Sequence, residues 1–231
     1  MTYPDNPSLS SFGERLFDKE GERMHTVYTA ASPEYGKEQF FQRFEREISK
    51  VKQLYPKAKR IGLADGAAGN LGFLEEHCEI LTVDFWHVSE YLGKAAKAMY
   101  PGKNHKEERE EWLEERCHQL KHKMGAASRI LNELREFKRK KKSGKESKEV
   151  EKVITYFANQ KERMQYYQNV KKNLPIGSGV TEAACKTIVK NRMCKGSARW
   201  KAEGASVVLT LRSLHATPSR WEKFWNKYSQ Y

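Results

Sequence analysis

Long apolar runs are missing from this sequence. No eighteen consecutive residues are apolar, and the opening MTYPDNPSLSSFGERLF has neither the charged leader nor the apolar stretch of a signal peptide. Neither a membrane-spanning nor a secreted chain is expected, and the expected location is the cytoplasm. Cysteine is scarce as well. Cys78, Cys117, Cys185 and Cys194 form no CxxC pair and no regular framework, which suits reduced thiols in a cytosol. Acidic side chains are the third shortage, with 30 Asp and Glu against 43 Lys and Arg, for a net charge of +13. Such a balance favours a nucleic-acid partner. Hydrophobic residues at 38%, with aromatics at 11%, suffice for a core and exclude wholesale disorder over 231 residues.

The cationic excess is concentrated near the end. From Ala183 to Tyr231, ten Lys and Arg stand against Glu203 and Glu222 alone. A second basic run, KRKKKSGKESK at 138–148, follows a helix-forming stretch rich in both signs and contains Gly144 and two serines. A solvated turn between two helices is favoured there over a DNA contact.

Along the chain, SFGERLFDKEGERMHTVYTAA at 11–31 reads as a β-hairpin about a Lys-Glu-Gly turn. From Lys37 to Leu54, the steps between Phe40, Phe41, Phe44, Ile48, Val51 and Leu54 predict an amphipathic helix. RIGLAD at 60–65 and EILTVD at 79–84 predict two strands, with room for one helix between Gly69 and His77, hence a parallel pair. Beyond His87 the period is helical until Pro175 and the glycines of PIGSG interrupt it. Helical stretches resume from Val180 towards Met193, over ASVVLTLRSLHA, and over SRWEKFWNKY behind Pro218. An α/β class follows.

Asp65 and Asp84 each end a predicted strand, where open α/β sheets place their ligand sites, and Gly66 allows a sharp turn behind Asp65. Each carboxylate equally suits a helix cap. Asp84-Phe-Trp-His87 sets a carboxylate and an imidazole three residues apart. A zinc site with His77-Cys78 is disfavoured, because adjacent ligands do not easily converge on one ion, and a buried hydrogen-bonded Asp/His pair is preferred. Trp86 is expected in the core. In PIGSGVTEAACKTIVKNRMCKGSARW at 175–200, Glu182 precedes a face bearing Lys186, Lys190 and Arg192. It is either a functional acid or a favourable charge at a helix N-terminus. The GSG element has neither phosphate-loop spacing.

Four blocks carry a resemblance: Ala64-Asp65-Gly66-Ala67; Val83-Asp84-Phe85-Trp86-His87-Val88-Ser89-Glu90-Tyr91-Leu92; Gly177-Ser178-Gly179 with Glu182-Ala183-Ala184-Cys185-Lys186; and Arg192-Met193 with Ala198-Arg199-Trp200. In order and spacing the chain resembles the C-terminal catalytic region of bacterial insertion-sequence transposases of the ISKra type, relatives of the Mutator-like DDE transposases. The resemblance implies an α/β, RNase H-like fold lacking its first strand, interrupted by an all-helical insertion and followed by C-terminal helices. The parts expected are a first portion of the core at 1–87, the insertion at 88–174, and the rest of the core with basic helices at 175–231.

The function implied is metal-dependent cleavage and joining of double-stranded DNA at the element's ends. Asp65 and Glu182 match two of the three catalytic carboxylates and are expected to hold Mg²⁺ or Mn²⁺, whose hardness suits carboxylate oxygen. Asp84 and His87 match the signature between them and are expected to support the site without touching metal. Lys186, Lys190, Arg192, Lys195, Arg199, Trp200 and Lys201 are expected to meet DNA, although a core role is favoured for Trp200. The family's first aspartate has no counterpart near Asp5 or Asp18, so the chain alone is expected to be inactive. A complementing N-terminal polypeptide or a homo-oligomer is the expected partner, and the nucleoid the expected place. The rival functions are a non-enzymatic DNA-binding remnant of a transposase and a stand-alone RNase H-like nuclease.

Overall fold

The computed structural model describes residues 10–17, 23–31, 36–141, 144–177, 179, 185–194 and 200–228. In chain order these form β1 (Ser10–Phe17), β2 (Arg23–Ala31), α1 (Gly36–Leu54), β3 (Ile61–Ala64), α2 (Ala68–His77), β4 (Ile80–Val83) and α3 (Phe85–Met99). There follow α4 (Lys106–His122), α5 (Ala126–Lys140), α6 (Lys145–Gln160) and α7 (Tyr166–Lys171). The last elements are a π-helical segment, Cys185–Lys190, running into one α-turn, Asn191–Met193, and two helices, Ala202–His215 and Pro218–Tyr228. None of these helices is long and apolar enough to cross a membrane. The chain divides into two compact units, one of residues 59–178 and one of residues 1–58 with 179–231.

In the second of these units, β1 and β2 pair antiparallel from Ser10 opposite Ala31 to an irregularity between Leu16 and Phe17, as the hairpin reading of 11–31 expects. Helix α1 buries Phe40, Phe44 and Ile48, whose steps of four residues set one face inward, and leaves Leu54 exposed. A small core joins Ala30 of the hairpin to Ile188, Val189, Met193, Ala205 and Leu209. Arg212 closes it from the side. Its Nε donates to the Ile188 carbonyl at 2.8 Å and its Nη2 to that of Thr187 at 2.6 Å, giving carbonyls of the π-helical turn a charged donor. Arg220 pairs with Glu47, joining the last helix to α1.

In the 59–178 unit the periodicity beyond His87 yields the dominant core. Val88, Leu92 and Ala95 of α3 meet Leu120 of α4, Ile130 and Leu134 of α5, and Val150, Val153 and Phe157 of α6. Each of these is essentially inaccessible to water, and full burial of one such side chain is worth about 1.5–3 kcal/mol. Between α4 and α5, Glu133 accepts hydrogen bonds from Trp112 Nε1 (2.7 Å) and from Arg116 (2.8 Å), so these three side chains satisfy one another beside the core. The parallel pair is in register from Ile61 opposite Ile80 to Ala64 opposite Val83. It is seated on the helices by two side chains of α7. The buried Tyr166 hydroxyl donates to the Val83 carbonyl at 2.8 Å, and Asn169 Nδ2 donates to Thr82 Oγ1 at 2.9 Å.

This architecture corrects the expected α/β, RNase H-like fold. That fold gathers hairpin and parallel strands into one mixed sheet. Among the described residues, β1 pairs only with β2 and β3 only with β4, giving two separate two-stranded sheets in a mainly helical chain. The reason lies in where the apolar surface is. Strands β3 and β4 have four residues each, so they offer little to a sheet core, whereas α3 to α6 bury whole faces against one another.

Removing the Tyr166 hydroxyl should therefore loosen the parallel pair selectively. We expect Tyr166→Phe to leave the buried Val83 carbonyl without its donor and to cost about 1–3 kcal/mol, read as a lower urea midpoint at unchanged m-value.

Candidate functional site

The carboxyl ends of β3 and β4 lie side by side, because the Asp84 N–H donates to the Ala64 carbonyl at 2.7 Å. Each strand is followed immediately by an aspartate, and the two side chains have different fates. Asp65 is exposed. Its Oδ1 accepts from the Ala67 N–H at 3.0 Å and from Asn70 Nδ2 at 3.5 Å, closing a tight Asx-type turn at the start of α2. Gly66 permits this turn with φ of 98°, and a Cβ there would come within 3.1 Å of the Tyr156 ring. Two side chains of α6 clamp the turn from above. Tyr156 Oη donates to the Asp65 carbonyl at 3.1 Å, and Gln160 Nε2 to the Gly66 carbonyl at 3.3 Å.

Asp84 is only 2% exposed and serves as the N-cap of α3. Its Oδ1 accepts from the backbone N–H of Trp86 (2.7 Å) and of His87 (3.2 Å), satisfying two donors that the helix cannot. Of the two readings open for Asp84 in the sequence, this geometry is the cap. Asp84 reaches His87 through the main chain, and the imidazole turns outward, with Nδ1 3.5 Å from Glu90. The His87 ring stands edge-on to Tyr91 at 5.3 Å and to Tyr156 at 6.0 Å. Tyr91 and Tyr156 stack face to face, 3.9 Å apart and 4° from parallel. Burial pushes the Tyr156 phenol well above the usual tyrosine range, helped by Tyr91, Asp65 and Asp84, and burial raises Tyr166 as well. Trp86, expected in the core, is instead 55% exposed.

The basic residues belong to the other unit. The 185–193 segment turns Ile188, Val189 and Met193 inward and leaves Lys186, Lys190 and Arg192 exposed, none paired with a carboxylate among the described residues. The Arg192 guanidinium lies over the Trp200 ring at 5.1 Å. Trp200 is half-buried against the small core, as the core reading preferred, and its buried Nε1 has no hydrogen-bond partner among the described residues. Lys201 is exposed. Glu182, Lys195 and Arg199 lie outside the described residues. In the 138–148 run, Lys138 pairs with Glu151, Arg139 with Glu136 and Lys141 with Glu146, as suits the solvated turn between α5 and α6.

No three His, Cys, Asp or Glu among the described residues are placed to share a metal ion. Asp65 does present a hard, exposed oxygen donor, its Oδ2, which has no partner among the described residues. Sequence reasoning missed Tyr156, Gln160, Tyr166 and Asn169, which hold the two strand ends. They follow the strands by more than eighty residues in ordinary helical surroundings, and no local signal marks them. Comparison with protein-family models, with curated proteins and with solved structures finds no match to the chain.

The raised phenols set a pH dependence. Below about pH 10, the ordinary tyrosine value, Tyr156 is protonated whether the chain is folded or unfolded. Above it the unfolded chain releases the proton first, so folding stability falls as pH rises. We expect the stability difference between the natural chain and Tyr156→Phe to be constant from pH 7 to 9 and to shift against the natural chain above pH 10. Urea unfolding at stepped pH measures it.

Proposed function

We propose that this chain binds double-stranded DNA and acts in the transposition of a mobile element, as the transposase region that it resembles does. One observation carries the proposal: Lys186, Lys190 and Arg192 stand exposed on a single short segment whose apolar residues anchor it from behind. Exposed cations without acidic partners repel one another, and a phosphate backbone relieves that repulsion while releasing its condensed counterions. Lys201 extends the same charge, and Arg192 is steadied by the Trp200 ring. Across 59–178 the pattern is the reverse, with cations repeatedly matched to acids, as in Arg116–Glu133, Lys152–Glu149 and Arg163–Glu75.

Contacts of this kind position DNA without reading its sequence, so residence on the nucleoid follows from them. Strand cleavage and joining is the activity that the resemblance brings. Asp65 suits a part in it, since its carboxylate is exposed at the end of a strand and its turn is clamped by Tyr156 and Gln160. It would hold Mg²⁺ or Mn²⁺, and a bound ion supplies charge neutralisation at a phosphate. Asp84, spent as a helix cap, supports the strand end and not the ion.

Binding to a labelled duplex should weaken steeply with salt. Replacing Lys186, Lys190 and Arg192 together with Gln should flatten the slope of log affinity against log salt by up to about three, and an unchanged slope would refute the proposal. Manganese titration followed by electron paramagnetic resonance checks Asp65, and Asp65→Asn should weaken uptake of the ion by the folded chain.

A further inference from the structure

We infer that Trp86 is a stacking platform for an unpaired nucleobase of the bound DNA, beside the Asp65 turn. The inference rests on the DNA-binding reading and adds to it a structural class of substrate. A buried Asp84, a buried Phe85 and a buried Val88 surround Trp86 in sequence, yet Trp86 is 55% exposed. The side chain is nevertheless firmly held. The Trp86 N–H donates to Asp84 Oδ1 at 2.7 Å and its carbonyl accepts from Ser89 Oγ at 2.7 Å, which fixes the main chain from which the indole projects. The Phe85 N–H donates to the Ile176 carbonyl at 2.9 Å, which brings the 176–177 backbone against the same turn. Gly177 then seats the pyrrole edge, where a Cβ would come 3.0 Å from Cδ1 and 3.1 Å from Nε1. Phe85 meets the indole edge-on at 5.9 Å and itself packs edge-on against the buried Tyr166 at 5.3 Å.

A large aromatic face held rigid in water loses hydrophobic free energy in the free protein, and a flat, apolar ligand recovers it. The surroundings select the ligand. His87, Ser89 and the exposed Glu90 share the first turns of α3 with Trp86, and Lys121 places its Nζ 5.9 Å from the indole and 4.4 Å from Phe85. Lys121 forms no ion pair among the described residues. An isolated aromatic with one cation, in a polar rim, is not the contiguous apolar patch of a protein interface. It does suit a base stacked on the ring with its phosphate near an ammonium group. The base must be unpaired, because the faces of paired bases are covered by their neighbours in the stack. Position agrees with chemistry: Trp86 and Asp65 leave the same end of the parallel pair, two residues beyond Asp84 and one beyond Ala64, which are hydrogen-bonded to each other.

The test compares a fully paired duplex with the same duplex carrying one extrahelical thymine, each fluorescently labelled and titrated with the full chain. The natural protein should prefer the bulged duplex by about tenfold. Trp86→Ala should abolish that preference while leaving affinity for the paired duplex within about twofold, and Trp86→Phe, which keeps a stacking face, should retain most of it. Equal melting temperatures for the three proteins would place the effect in binding and not in folding. A preference that survives Trp86→Ala, or no preference in the natural protein, overturns the inference while the salt-dependent binding of the paired duplex still stands. Failure of the natural protein to bind either duplex overturns the DNA-binding reading and this inference together.

Discussion

A parallel pair with four residues per strand cannot hold itself together in water, and the 59–178 unit is arranged around that constraint. Among the described residues each strand has one neighbour, so half of its backbone groups need partners elsewhere or access to water. Tyr166 meets part of the need by donating to the Val83 carbonyl from within the helical core, and Asn169 anchors the same strand through the Thr82 hydroxyl. Because Tyr166 also packs edge-on against Phe85, at 5.3 Å and 90°, strand end and helix start are fixed by one side chain. The helices thus support the pair, which is why their core had to be the larger one.

From this seat follows the division of labour between the two aspartates. The strand ends are adjacent, but α3 begins immediately after Asp84, and its open N–H groups claim that carboxylate. Between Asp65 and α2 stand Gly66 and Ala67, so Asp65 closes an Asx-type turn ahead of the helix and keeps an oxygen facing outward. Identical chemistry in sequence becomes a buried cap in one case and a candidate ligand in the other. The cap in turn sets the rotation of α3, and that rotation sends Trp86 into solvent.

Charge is partitioned with equal clarity. Across α4, α5 and α6, acids and bases interleave and pair, which keeps the surface soluble without a strong field. In the 185–201 region no acid is interspersed. The hydrophobic anchors Ile188, Val189 and Met193, with Arg212 bonded to the carbonyls behind them, hold Lys186, Lys190 and Arg192 outward.

Much of this was legible in the sequence. The hairpin, the α1 face of Phe40, Phe44 and Ile48, the short strands ending in Asp65 and Asp84, and the helical run beyond His87 all follow from local periodicity, because each element must bury one face whatever its partner. The concentration of cations near the end was plain from composition. What local pattern could not supply was pairing between distant elements. Whether the hairpin and the parallel strands share a sheet depends on which surfaces meet, and the helices offered more apolar area than four-residue strands could, so two small sheets replaced the expected mixed one. Trp86 read as core because aromatics usually are, but the cap at Asp84 turns Phe85 inward and leaves Trp86 in solvent. The sequence by itself determined the elements and their charges. Tertiary structure alone decided which carboxylate faces water and which aromatic does, since those outcomes rest on Tyr156, Tyr166 and Asn169, contacts that span more than eighty residues and leave no mark on local periodicity.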